Sequence, residues 1–438
     1  MSCEQEMLRW IVENREAARQ DFDDTRRAIE GSVLSIGARC LQSLAAPKVF
    51  SGAEAGFIEA FVAGCFAIFG KVIDRYLADE GYRRLFPFSP ALERLILLPT
   101  GYACRVPMAR VDFFLNEETR AVKLCEINTC GTSAMDEDRI LGGFLSMNRA
   151  YQHFAQKNNC RLFELFDSWV REFLALYREY SQSDAPPFVA IVDFLDKATL
   201  PEFKQFALAF AARGVKAEIV DIRKIEYRDG SLFTPDGDKI DAIYRRAVTS
   251  DVMANYEQVL PFMQGVLEGA ACLVGGFRTQ IIHNKALFGI LHGEETLAFL
   301  APEERAFVLR HVPLTYPLLP GSIEKHNILG NKDFWIIKPY DSYGSKGVYA
   351  GLDCEQAQWE RLVRENAGDG YLVQEYCRPY RSLNIDFTDE QPAARPFSNI
   401  TGVFCYNEKP YGIYSRLSNG NVINSQYDEK TVATVVCD

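Results

Sequence analysis

The sequence predicts a mixed α/β (α+β) protein, and three observations predict it. Two short segments near residue 120, Ala109–Leu115 and Val122–Asn128, alternate polar and apolar residues as strands do. Residues 188–244 read as strand, helix, strand and strand, the pattern of a βαβ unit with a parallel sheet. Residues 4–82 and 138–180 carry apolar residues at helical spacing. At 438 residues the chain exceeds one typical domain, and length alone suggests two or three.

Taken in order, residues 1–90 form a first, helical segment. Glu6 to Leu41 contains no Pro, and Ser51-Gly52 starts a second helix bearing Phe57, Phe61, Val62, Phe66 and Phe69. Pro87, Pro90 and Pro99 then interrupt regular structure. Residues 91–180 hold the alternating hairpin and a third helical stretch, from Asp138 to Tyr180. Ser181 to Pro187 is a linker. Residues 188–275 form a small parallel-sheet unit: strand Phe188–Val192, a helix begun by Thr199 and Pro201 and closed by Gly214, then strands Val215–Ile222 and Ile240–Tyr244. Residues 276–438 form the last unit. No internal repeat or low-complexity tract interrupts the chain.

Composition excludes several function classes. The formal net charge of −11 argues against nucleic acid as a partner. No apolar run in the sequence approaches the roughly 20 residues that span a bilayer, so no membrane partner is expected. The first residues lack the basic and apolar regions of a signal peptide, and a cytoplasmic location is expected. The 12 Cys are scattered without Cys-x-x-Cys spacing and read as free thiols of a reducing compartment. With five His, a histidine-based metal cluster is not expected.

The hairpin carries chemistry. Arg110 and Asp112 share one face of the first strand, and Glu126 and Asn128 one face of the second. The expected pairing sets Asp112 opposite Leu124 and Arg110 opposite Glu126, with Val111, Phe113, Cys125 and Ile127 on the core face. Asp112, Glu126 and Asn128 then offer three hard oxygen donors, which suit Mg²⁺ shared with phosphates. Arg110 beside them suits a developing phosphoryl charge. The alternative is an amphipathic hairpin with a solvated polar face.

A second constellation follows in the last unit. Phe334–Ile337 is a strand ending in Lys338, followed by Pro339 and a small-residue turn, Gly344-Ser345-Lys346-Gly347. Such a turn lets backbone amides approach a phosphate, with Lys338 and Lys346 adding charge. It matches neither the P-loop nor the dinucleotide fingerprint, and it also reads as an ordinary hairpin. Gln374-Glu375-Tyr376-Cys377 closes a strand with backbone groups that can meet an adenine, or is simply a strand end. Lys285 opens an apolar helix, where it reaches a phosphate or solvent. Arg416 is a lone Arg on a short strand. Arg245 and Arg246 end another strand and read either as a carboxylate site or as a surface pair.

Taken together and in this order, these segments resemble the ATP-grasp enzymes. Because the acidic motif precedes the lysines, the resemblance is to the circularly permuted branch that includes the synthetase part of glutathionylspermidine synthase. It rests on Arg110-x-Asp112, Glu126-x-Asn128, Asn284-Lys285, Lys338-Pro339 with its glycine turn, Gln374-Glu375-Tyr376 and Ser415-Arg416. It implies an ATP-grasp fold: a Rossmann-like preATP-grasp domain at 188–275, nucleotide-binding subdomains at 276–438, a metal-binding hairpin within 91–180 and an extra helical segment at the N-terminus. It implies ATP and two Mg²⁺ ions as cofactors, held by Asp112, Glu126 and Asn128. Arg110 and Arg416 become catalytic. Lys285 and Lys338 contact phosphates, Gly344–Gly347 forms a lid, and Gln374–Cys377 lines the adenine pocket.

The implied reaction joins a small-molecule or peptide carboxylate to an amine co-substrate through an acyl phosphate, releasing ADP and phosphate. The competing readings are a phosphotransferase on the same scaffold and a nucleotide-binding module without chemistry. An oligomer is compatible with all three. No amidase motif is present, and the family's glutathione- and polyamine-binding residues have no match here.

Overall fold

The computed structural model describes residues 3–36, 39–342, 346–368, 370–423 and 428–438. The chain opens with helices Cys3–Glu13 and Arg15–Glu30 and then leaves helical structure, which corrects the continuous reading of residues 4–82. Gly31 ends the second helix, and strand Lys48–Ser51 intervenes. Helix Gly52–Ala78 starts where the sequence placed it. Ser51 Oγ accepts from Glu54 N, and Glu54 Oε2 accepts from Ser51 N, a reciprocal cap. By length and composition this helix could cross a bilayer, contrary to the sequence reading. Here its apolar residues serve the main core, where Ile58, Val62, Phe69 and Ile73 are buried.

The helical stretch expected over 138–180 is three helices, Met135–Met147, Arg149–Ala155 and Phe166–Ser181, with strand Cys160–Arg161 between the last two. Asn148 makes the first break by capping the next helix, its side chain accepting from Tyr151 N at 3.2 Å. Cys160 and the penultimate Cys437 are disulfide-bonded, which corrects the expectation that all the thiols are free. The bond joins adjacent strands of a three-stranded sheet in which Thr434–Cys437 also pairs in parallel with Lys48–Ser51.

The parallel unit is present. Strands run in the order Cys272–Val274, Ala242–Arg245, Val189–Asp193 and Ala217–Asp221, all parallel. Continuous burial of Val189 to Val192 explains why this strand reads as an unbroken apolar run. Helix Leu200–Ala212 buries Phe203, Phe206 and Phe210 against Trp169, Phe173 and Tyr244.

Two larger antiparallel sheets build the site, beside the short hairpins of Ser35–Ile36 with Arg39–Cys40 and of Glu226–Arg228 with Ser231–Phe233. One has the order Lys430–Val432, Lys409–Ser418, Arg395–Tyr406, Met108–Leu115 and Val122–Asn128, with Arg381–Asn384 also paired to Arg395–Tyr406. The early hairpin thus shares a sheet with strands almost three hundred residues later. The other has the order Thr315–Pro317, Tyr371–Glu375, Trp335–Pro339 and Tyr349–Ala350. It packs on its own small core of Trp335, Ile337, Trp359, Val363 and Val373.

Candidate nucleotide site

The hairpin's register differs from the expected one, and the difference builds the site. Asp112 lies opposite Glu126 and Arg110 opposite Asn128, and a β-bulge follows, so that Phe113 pairs with Leu124. Cys125 is the extra residue. Beyond the bulge the faces exchange. Val122 and Leu124 enter the core, while Cys125 lines the cleft rather than filling the core. Lys123 reaches Glu375 across the cleft, at 3.3 Å.

Asp112 is fully buried and holds four donors. Arg110 Nε and Nη2 donate to its two oxygens at 2.8 and 3.0 Å. Arg416 Nη2 and Asn128 Nδ2 donate to Oδ2 at 2.7 and 3.1 Å. Both guanidinium groups lie over the ring of Tyr414, with Cζ 5.5 and 5.7 Å from its centre. Arg416 Nη1 also reaches Glu429 Oε2 at 3.5 Å, and Arg416 Nε is buried with no hydrogen-bond partner among the described residues.

Gly402 is the neighbour of Asp112 on the adjacent strand. A Cβ there would stand 2.6 Å from Asp112 Oδ1 and 3.0 Å from Arg110 Cδ. Only glycine leaves room for the Arg110–Asp112 pair to lie flat on the sheet.

Glu126 faces the opposite sheet. Lys285 Nζ stands 3.7 Å from its Oε2 and donates to the Ser342 carbonyl at 3.0 Å. Burial pushes the Glu126 carboxyl up, but Lys285, Arg416, Lys338 and Arg110 outweigh it and hold the group down at about 2. Lys338, 8% exposed, has no carboxylate at ion-pair distance among the described residues. A buried ammonium that no carboxylate touches favours the arrival of an anion beside it.

These groups line one cleft of about 830 Å³, open at its mouth. Glu126, Lys285, Lys338 and Arg416 meet in it, and Gln374 to Cys377 line it as well. Phe114, Leu124, Ile336 and Ile400 supply an apolar lining suited to a flat ring. Gln374 points its side chain away, to Thr315 Oγ1 at 2.9 Å, so its own contribution there is backbone. Burial, aided by Glu375, pushes the Cys377 thiol up to about 12, so it stays a neutral wall.

Of the residues singled out from sequence, Arg110, Asp112, Glu126, Asn128, Lys285, Lys338, Gln374, Glu375, Tyr376, Cys377 and Arg416 gather in or against this cleft. Lys346 is exposed in a turn, and Gly347 has φ +72°. Gly344 and Ser345 lie outside the described residues. Arg245 and Arg246 form neither a surface pair nor an open carboxylate site. Arg246 is buried against Glu202 at 2.7 Å, and Arg245 donates to the carbonyls of Gly275 and Ala247 at 2.6 Å. Sequence reading missed Gly402, Glu429 and Lys123. The lone glycine inside a strand pattern was the one available signal.

Among the described residues no group of three or more His, Cys, Asp and Glu is arranged to hold a metal. The donor chemistry nevertheless fits Mg²⁺ shared with a polyphosphate, which needs few protein ligands. Asn128 Nδ2 lies between the two carboxylates, 3.1 Å from Asp112 Oδ2 and 3.3 Å from Glu126 Oε1. Turned over, the same amide presents its oxygen there. Glu126 has capacity to spare, whereas Asp112 already accepts from two arginines.

No family model matches the chain, and no curated protein matches it in sequence. Its fold is similar to that of a glutathione synthetase-like effector from Globodera pallida in its apo form. The two share 11% identity over 95% of this chain and 96% of that one, with a TM-score of 0.58. The chain therefore shares its fold with that protein over nearly its whole length. Weaker likenesses are to a putative γ-glutamylcysteine synthetase from Methylobacillus flagellatus and to a D-cycloserine synthetase. The first has a TM-score of 0.36 at 11% identity, covering 88% of this chain and 89% of that one. The second has a TM-score of 0.28 at 13% identity, covering 56% and 90%.

Proposed function

We propose that the protein is an ATP-dependent carboxylate–amine ligase of the permuted ATP-grasp type, similar to the synthetase part of glutathionylspermidine synthase. The observation that carries this reading is the meeting of Glu126, Lys285, Lys338 and Arg416 in one cleft lined by Gln374–Cys377. The shared fold with a glutathione synthetase-like protein supports it.

In this reading ATP lies in the cleft with its ring between the apolar walls. Lys285 and Lys338 hold its phosphates, and Lys338 gains an anion in direct contact. Glu126 and Asn128, with Asp112, are the residues that would hold Mg²⁺, which would neutralise phosphate charge when bound. A carboxylate oxygen of the first substrate attacks the γ-phosphorus, and the bond to the β-phosphate oxygen breaks with its electrons leaving on ADP. The nitrogen of a neutral amine then attacks the acyl carbon. Phosphate departs with the C–O electron pair, and the amine proton passes to it or to solvent. The orphaned Nε of Arg416 is placed to donate to the transferring group. Positioning and charge carry such a transfer, so no nucleophilic side chain is required. An acyl phosphate exposed to water would hydrolyse, so the transfer requires the cleft to exclude water.

Hydroxylamine tests the reading. With pooled amino acids and small peptides, a ligase yields ADP and a hydroxamate. A stable phosphorylated product without hydroxamate would make the protein a kinase. AMP and pyrophosphate would overturn both.

A further inference from the structure

Lys285 stands between two acceptors. Its Nζ donates to the Ser342 carbonyl at 3.0 Å and lies 3.7 Å from Glu126 Oε2, beyond hydrogen-bond reach. That gap has a consequence for any ligand of the cleft. An ammonium that closed on the carboxylate would pair the two charges with each other and leave neither for an anion or a cation. The Ser342 carbonyl holds the ammonium back, so whatever fixes Ser342 also fixes Lys285.

Three bonds fasten residues 340–342 to residues 280–285. Lys285 N donates to the Tyr340 carbonyl at 2.9 Å, Lys285 Nζ to the Ser342 carbonyl, and Gln280 Nε2 to Asp341 Oδ2 at 2.7 Å. Asp341 thus contributes its side chain where the residues on either side contribute carbonyls. His283 sits between this segment and the early hairpin. Its Nε2 lies 3.7 Å from Asp341 Oδ1, and its Nδ1 lies 3.1 Å from the carbonyl of Ile127, next to Asn128.

Gln280 shows that the bond to Asp341 is held at a cost. The residue is 1% exposed, and its Oε1 is buried with no hydrogen-bond partner among the described residues. Turned over, the amide would aim that oxygen at a carboxylate. One acceptor is left orphaned so that the NH₂ group can meet Asp341. Neither Gln280 nor Asp341 lines the cleft, whereas Lys285 and Ser342 do.

We propose that Asp341 is a positioning residue: anchored by Gln280, it holds the Ser342 carbonyl where it keeps the Lys285 ammonium off Glu126 and turned to an anionic ligand. Asp341 acts through Lys285 and touches no substrate. The positioning stands on these contacts alone. That the anion is the phosphate chain of ATP rests on the ligase reading.

Crystal structures of the full-length wild type and of Asp341→Ala, both without nucleotide, test the positioning by itself. In the variant, Lys285 Nζ is expected within about 3.2 Å of a Glu126 oxygen. An ammonium that stays on Ser342 overturns the proposal. Calorimetric titration with ATP and Mg²⁺ then reads the consequence in a double-mutant cycle with Lys285→Met. Asp341→Ala should weaken binding about tenfold in the wild-type background and less than about twofold in the Lys285→Met background. Asp341→Asn, whose amide oxygen still accepts from Gln280, should bind as wild type does. Equal losses in both backgrounds, or the same loss in Asp341→Asn, would overturn the proposal. Circular dichroism checks folding, and if Asp341→Ala does not fold, Gln280→Leu removes the same bond from the other side and decides. Absence of ATP binding in wild type, with Lys285 displaced in the variant crystal, would overturn the ligase reading and leave the positioning standing.

Discussion

Arg416 and Asp112 are 304 positions apart in sequence and 2.7 Å apart in space. The contact crosses one intervening strand: Arg416 lies opposite Ile400, and Gly402 on that same central strand lies opposite Asp112. It passes Gly402, where the central strand has no side chain to obstruct it.

Arg416→Lys keeps a positive charge but cannot bridge Asp112 and Glu429 while leaving a third donor for substrate. Turnover should fall by about 10²–10³, as when a preorganised donor is lost from other active sites. Steady-state ADP release measures it, and unchanged turnover would remove Arg416 from the reaction.

Glu126→Gln and Asp112→Asn should behave differently, although both alter the acidic pair. Glu126 faces the cleft, so its variant should fold normally and lose turnover. Asp112 neutralises two buried arginines, and its loss should cost stability of roughly 3–5 kcal/mol as well as activity. Thermal unfolding of the two variants side by side checks the contrast.

Gly402→Ala places a methyl group against Asp112 and Arg110. The clash should cost about 1–3 kcal/mol and displace the ion pair. Reduced turnover with an intact far-ultraviolet dichroism spectrum is the expected result.

The depressed Glu126 carboxyl also fixes a pH dependence. Its folded value of about 2 lies below the roughly 4.3 of an unfolded glutamate. The stabilisation it brings is therefore fully present above the unfolded value and is lost as pH falls through the folded one. Wild type should lose stability relative to Glu126→Gln between about pH 4.5 and 2, by denaturant unfolding at each pH.

Much of this was legible in sequence because local period suffices for it. The parallel unit at 188–275 announced itself through the run Val189–Val192 and the helix bearing Phe203, Phe206 and Phe210. The hairpin strands announced themselves through strict alternation. The register did not, because a β-bulge adds one residue without disturbing either strand's own pattern. Glu126 lies two residues from its expected partner, opposite Asp112 rather than Arg110; the bulge accounts for one of the two and turns Cys125 into the cleft. The partners of Arg416 were not legible either. Asp112 and Glu429 reach it from elsewhere in the chain, and a lone Arg on a strand carries no trace of that. Arg246 was misread for the same reason: its partner Glu202 comes from a neighbouring helix and buries what looked like a surface charge.

The account stands on ATP entering the cleft between the two antiparallel sheets. Equilibrium binding of ATP with Mg²⁺, in wild type and in the Lys285→Met, Lys338→Met double variant, tests it most directly. Micromolar to millimolar binding in wild type, weakened at least tenfold in a folded double variant, is the predicted result. No binding in wild type, or equal affinity in both proteins, would contradict it.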